Sequence, residues 1–188
     1  CALPIFIGSV VGLTLNVASN TTCTYSKNIR LATGMYLTKT GLGTQVLSGS
    51  SDYTGATTVS NGTLTLSGYL TNNTASVTVA DGAALNVSGH GATPAITSPG
   101  DLTLGTSGAC ALGFSGLTST NVAPVNVNNL VVNVPVTVNV SGGLGIGQLP
   151  LIKYAVALSG AGSFTLAPLA PGYTATLVTN VPNQSIDL

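Results

Sequence analysis

Apolar and polar residues alternate one for one along most of this chain. The stretches LTLNV, TLTL, VTVA, ALNV, DLTLG, VTVNV and ATLV all show it, and this period of two is that of a strand with one buried face. Nowhere do apolar residues recur at three-and-four spacing for several turns. Leu stands among Val, Thr, Asn and Gly, with few Lys or Arg and no Glu, a mixture that disfavours helix. The pattern predicts strands and turns over nearly the whole length.

Between residues 37 and 104 the alternation is itself periodic. A β-branched residue, a turn ending in Gly, and two spaced apolar residues recur three times. The copies are Val59–Asn61–Gly62–Leu64–Leu66, Val79–Asp81–Gly82–Leu85–Val87 and Ile96–Pro99–Gly100–Leu102–Leu104. Rungs of similar length with a Gly corner predict an all-β, stacked β-solenoid. On this reading Gly62, Gly82 and Gly100 are corners, supported by Asn61 and Asp81, which favour turn conformations. The same nine apolar positions (Val59, Leu64, Leu66, Val79, Leu85, Val87, Ile96, Leu102 and Leu104) form the core. Leu64, Leu85 and Leu102 share one inward column, and Val59, Val79 and Ile96 share another.

Three regions follow. Residues 1–30 read as two apolar strands and a polar patch, which cap the solenoid or dock on a neighbouring subunit by strand addition. Residues 31–105 are the repeat region. Residues 106–188 either continue the solenoid or form a separate β-sandwich. Pro135, inside LVVNVPVTVNVSGG, calls for an edge strand, a bulge or a break into two strands. Near the end PGYTATL reads as a strand. SIDL reads as a strand stopped in mid-pattern, by processing or for completion by a neighbour.

Composition narrows the function. Of 188 residues only 4% are charged, and Lys27, Arg30, Lys39 and Lys153 balance Asp52, Asp81, Asp101 and Asp187. Such a surface has no electrostatic footprint for nucleic acid or an anionic membrane. It also lacks the like-charge repulsion that opposes self-association. The apolar stretch over residues 2–17 is interrupted by Pro4, Gly8 and Gly12, so no transmembrane segment is expected. The chain opens on Cys1 without a Met, as expected where a leader has been removed or was not included. Cys1, Cys23 and Cys110 fit no zinc spacing. They predict one disulfide and an odd thiol, with Cys1–Cys23 the first choice and Cys23–Cys110 the second; an N-terminal Cys also fits lipid attachment.

Candidate chemistry is sparse. His90 is the only His, and no G-x-S-x-G elbow accompanies it, so no nucleophilic triad is expected. It lies in the turn SGHGAT and reads as structural, a lone candidate metal ligand without a partner at metal spacing. Asp81 and Asp101 fall on successive turns and are explained by turn chemistry. The alternative is a carbohydrate groove lined by Asp81, Asp101 and Lys39. GGLGIGQL departs from the dinucleotide fingerprint and opens no helix, and the Asp-rich calcium repeats are lacking. No catalytic, cofactor or metal residue is assigned. Asn20 and Asn72 are the better glycosylation acceptors among the sequons.

LTKTGLGTQVLSG followed by DYTGATTVSNGTLTL resembles the autotransporter-associated β-strand repeat of secreted bacterial passenger regions. Leu37, Lys39, Gly41, Gly43, Thr44, Leu47, Gly49, Tyr53, Gly55, Thr57, Val59, Gly62, Thr63 and Leu64 carry the resemblance. Gln45 departs from it, standing where the repeat has an apolar inward residue. The chain's ending resembles the closing segment of the same class. The resemblance implies a right-handed parallel β-helix at the bacterial cell exterior with a scaffold or adhesive role. The resulting expectation is a non-enzymatic structural protein that self-associates into a fibre through its terminal strands, with surface glycans as a second partner class. A carbohydrate-binding or carbohydrate-cleaving module on the same fold is the alternative.

Overall fold

The computed structural model describes residues 12–31, 33–71, 75–98 and 100–188. The first four coils are β1 (Gly12–Asn16) with β2 (Thr22–Tyr25), β3 (Tyr36–Thr40) with β4 (Thr44–Leu47), β5 (Thr57–Val59) with β6 (Thr63–Leu66), and β7 (Val77–Val79) with β8 (Ala84–Ser88). Then come β9 (Ile96–Thr97), β10 (Leu102–Leu104) and β11 (Cys110–Ser115), followed by β12 (Val125–Val132) with β13 (Pro135–Ser141), and β14 (Pro150–Ser159) with β15 (Ser163–Leu166). Two short strands close the chain, β16 (Val178–Asn180) and β17 (Ser185–Asp187).

From β1 to β15 the strands alternate between two sheets, except that β9 and β10 both lie in the first. One runs β1-β3-β5-β7-β10-β12-β14-β17-β16; the other is seven-stranded and runs β15-β13-β11-β8-β6-β4-β2. Every pairing from β1 to β15 is parallel. The molecule is therefore a parallel β-solenoid of about six turns. A third side begins as the bridges Ser51–Leu70 and Leu70–Ile96. It merges into the first sheet where β12 pairs with both β9 and β10.

The alternation explains the packing. In TLTL of β6 the two leucines are buried while both threonines are partly exposed. Parallel register places like residues above one another, so Leu64, Leu85, Leu112 and Val138 form one inward column. Val59, Val79, Leu104 and Val132 form another. Each coil thus buries what its neighbour would leave in water.

The third copy of the repeat is placed differently from the expectation. Leu102 belongs to the first sheet, between Val77 and Leu130, away from the Leu64–Leu85 column. Ile96 sits on the third side between Leu70 and Val125, away from Val59 and Val79. Gly100 is also not the equivalent of Gly62 and Gly82. That corner is Gly105, with φ of 65° against 64° and 73°, in the left-handed region that favours glycine. Gly100 instead stands two residues before its strand, as Gly55 does, where a Cβ would come 2.5 Å from the Ala75 backbone. The cause is coil length. Successive coils are 20 residues apart near Thr54 but 28 apart at Asn129, so a fixed repeat reads across the wrong corner.

The termini also depart from the expected arrangement. β1 and β2 form a coil in register with β3 and β4; residues 1–11, the rest of the proposed cap, lie outside the described residues. Beyond residue 105, β11, β13 and β15 extend the same seven-stranded sheet, so this part does not split off as a sandwich. Pro135 is the first residue of β13, where a missing N–H is tolerated. PGYTATL is a turn and irregular chain, with β16 starting only at Val178. β17 pairs antiparallel with both β14 and β16, so its two edges are used within the chain without a neighbour.

That hairpin covers only part of the last coil. β17 pairs with Pro150–Lys153 and leaves the rest of β14 open. Leu158 is 38% exposed, whereas Leu130 in the same column is fully buried. Phe164 and Leu166 are likewise only partly buried, below the buried Val136 and Val138. A cavity of about 310 Å³ lies between Leu158, Phe164, Leu177 and Ile186.

Candidate functional site

Lys39 is the first residue whose placement bears on function. Strand alternation points it inward, in the column of Leu15 and Val59, and it is fully buried. Its Nζ donates to the carbonyls of Thr40 (2.8 Å), Gly41 (2.8 Å) and Asn61 (3.1 Å). Burial pushes its pKa below the ordinary lysine value. Gln45 is buried across the same corner, its Nε2 donating to the carbonyls of Cys23 (3.1 Å) and Val46 (3.0 Å). Tyr53 completes this polar set. Its hydroxyl lies 2.7 Å from Thr57 Oγ1, and burial pushes its pKa up to about 12.

The expected groove of Asp81, Asp101 and Lys39 is not formed, because Lys39 is inside the solenoid. Asp81 follows β7 and Asp101 precedes β10, at different corners. Asp81 accepts from Thr106 N (2.7 Å) and Thr106 Oγ1 (2.8 Å), and from Ser107 N and Oγ. These donors hold its carboxyl well below the usual carboxylate range. It staples the 105–108 corner to the coil above. Asp101 accepts from Asn129 Nδ2 at 2.7 Å.

The remaining candidates are structural in geometry. His90 stacks on Tyr69 with ring centroids 4.4 Å apart, and its Nε2 lies 3.2 Å from the Gly68 carbonyl. Cys23 is disulfide-bonded and Cys110 is a buried free thiol, which removes the Cys23–Cys110 pairing; Cys1 lies outside the described residues. Burial pushes the Cys110 thiol up to about 11. Asn20 is exposed in a turn with φ of 57°, and Asn72 lies outside the described residues. Asn61 and Gly62, with Asp81 and Gly82, do occupy corners. Among the described residues no group of three or more His, Cys, Asp or Glu is placed to hold a metal ion. None of their helices is long and apolar enough to cross a membrane.

The arrangement that sequence reasoning missed lies at the closing end. Asp187 is 3% exposed, and its Oδ2 accepts from Gln148 Nε2 (2.6 Å) and Asn180 Nδ2 (2.9 Å). Two cavities of about 270 and 390 Å³ open on either side of Lys153 and Asn183, which line both. The first is also lined by Asn121, Gln148, Ser185 and Asp187; the second by Asn126, Tyr154 and Gln184. The only sequence signal was an isolated Lys within an apolar strand, and nothing local marks Ser185, its register partner 32 residues later (185 − 153).

No curated protein and no solved structure matches the chain. Residues 37–66, the strands β3 to β6 whose interior holds Lys39 and Gln45, match the family model of the passenger-associated-transport-repeat, which together with the solenoid is consistent with an autotransporter passenger repeat.

Proposed function

We propose that this chain is a passenger-type structural domain carried on the bacterial cell exterior, where its solenoid acts as a scaffold. One observation carries the reading. The two coils that match the passenger repeat are held in parallel register by coils on both sides, so the rest of the solenoid extends that unit. A chain with only 4% charged residues wound into parallel coils suits a rod that need only persist. The test is proteinase treatment of intact source cells, followed by immunoblotting for this chain. Digestion of the exposed chain supports the reading; protection until the envelope is opened overturns it.

A finer reading is self-association through the partly open last coil. Leu158, Phe164 and the free edge of β15 offer apolar surface and unpaired backbone groups to another strand. Sedimentation velocity at rising concentration then shows oligomers, and Leu158→Lys, a charge at the open end, returns them to monomer. Monomer alone at the highest concentration removes this reading and leaves the scaffold role standing.

A further inference from the structure

We propose that the outer face of the junction between β14 and β17 binds a glycan of two or more sugar residues. Register defines that face. Ile96, Val125, Ile152 and Ile186 pair in succession on the inward side. Thr97, Asn126, Lys153 and Ser185 pair in succession on the outward side. Asp187 alternates with Ile186, so it shares the outward face with Ser185.

Each of the two cavities on this face is lined by a residue with a buried acceptor that has no hydrogen-bond partner. In the first it is Oδ1 of Asp187, and in the second Oδ1 of Asn126. Among the described residues only Gln45 Oε1, inside the solenoid, shares that condition. A buried acceptor without a donor costs about 1–3 kcal/mol, and more when charged. Two such atoms on one face therefore constitute a demand for donors. Lys153 stands between the cavities as an exposed ammonium and constitutes the opposite demand.

The ligand must satisfy both at once. A phosphate or sulfate would suit Lys153 but brings no donors and is repelled by Asp187. A divalent cation would suit Asp187 but not the neighbouring ammonium. Sugar hydroxyls donate and accept through the same atom, and the amides of Asn121, Gln148 and Asn183 complement them. Two cavities sharing a wall require adjoining rings rather than one. The exposed Ala155 supplies the apolar element of the second cavity. The seating requires Asp187 and Asn126 to turn their buried oxygens toward the ligand.

The site is tested with the full chain by saturation-transfer NMR and isothermal titration, using the neutral probes maltotetraose, cellotetraose, chitotetraose and mannotetraose. At least one saccharide binds. Asp187→Asn weakens it about tenfold or more, the effect of losing a charged hydrogen bond. Lys153→Ala, at an exposed position, weakens it several-fold and preserves the circular dichroism spectrum. Asp81→Asn, at a distant corner, leaves binding unchanged. Should Asp187→Asn not fold, Asn126→Ala takes its place. Absence of binding by all four saccharides, or binding indifferent to both Lys153→Ala and the second variant, overturns the proposal.

Discussion

The coils between Leu37 and Val87 and the end built from residues 150–188 face the same problem and answer it differently. In the middle, every coil has a parallel neighbour above and below, and inward residues such as Leu64 and Leu85 are fully buried. Even the polar insertions Lys39 and Gln45 are tied to carbonyls of adjacent coils. At the end, an antiparallel hairpin covers only Pro150–Lys153 of the last coil, and Leu158, Phe164 and Leu166 stay partly in water. The contrast shows where a nearest-neighbour architecture is fully packed and where its inward columns stay partly open to water.

The sharpest test compares two positions of one column. Leu85→Ala, between Leu64 and Leu112, is expected to cost about 2–5 kcal/mol of unfolding free energy. Leu166→Ala, at the uncovered end, should cost less than about 1 kcal/mol. Urea unfolding of both variants measures the difference, and equal losses would abolish the distinction between middle and end.

Tyr53 gives the next largest effect. Its folded pKa, about 12, lies above the ordinary 10.0. The stability it contributes is present below pH 10 and is lost as pH rises through 12, about 2–3 kcal/mol in all. Tyr53→Phe should remove this alkaline loss while forgoing the bond to Thr57, as pH-dependent urea midpoints will show.

Lys39 has the opposite sign. Its folded pKa is lowered, so the unfolded chain binds more protons, and stability rises as pH climbs toward the ordinary 10.5. Lys39→Met leaves three carbonyls without their donor and should cost about 1–3 kcal/mol near neutrality. It should also abolish that rise, a readout that simple loss of packing would not move.

The smallest effect belongs to the exposed staple. The lowered pKa of Asp81 means that its contribution is present above the ordinary 3.8 and is lost as pH falls through the folded value. Asp81→Asn should therefore lower the neutral-pH melting temperature slightly and match the parent protein in strong acid.

How much of this was legible in the sequence depends on the region. Alternation identified the inward faces of β6, β7 and β8, because a half-buried strand imposes a period of two regardless of context. Vertical stacking was legible only while the coil length stayed constant. After Val87 the coil lengthens, from 21 residues between Leu64 and Leu85 (85 − 64) to 27 between Leu85 and Leu112 (112 − 85), and Pro99–Gly100 then imitates a corner that Gly105 makes. The burial of Lys39 was invisible locally, since its acceptors include the carbonyl of Asn61, 22 residues away. Likewise the glycan face joins β12, β14 and β17, which only the register brings together.

The reversed direction of β17 has a consequence for how such a rod changes size. A duplicated rung inserted between β6 and β7 meets parallel edges on both sides and can be accepted without altering either end. The same duplication appended after residue 188 meets, in the first sheet, strands running the opposite way. A rung is therefore gained or lost more readily between two parallel coils than against the reversed strand β17.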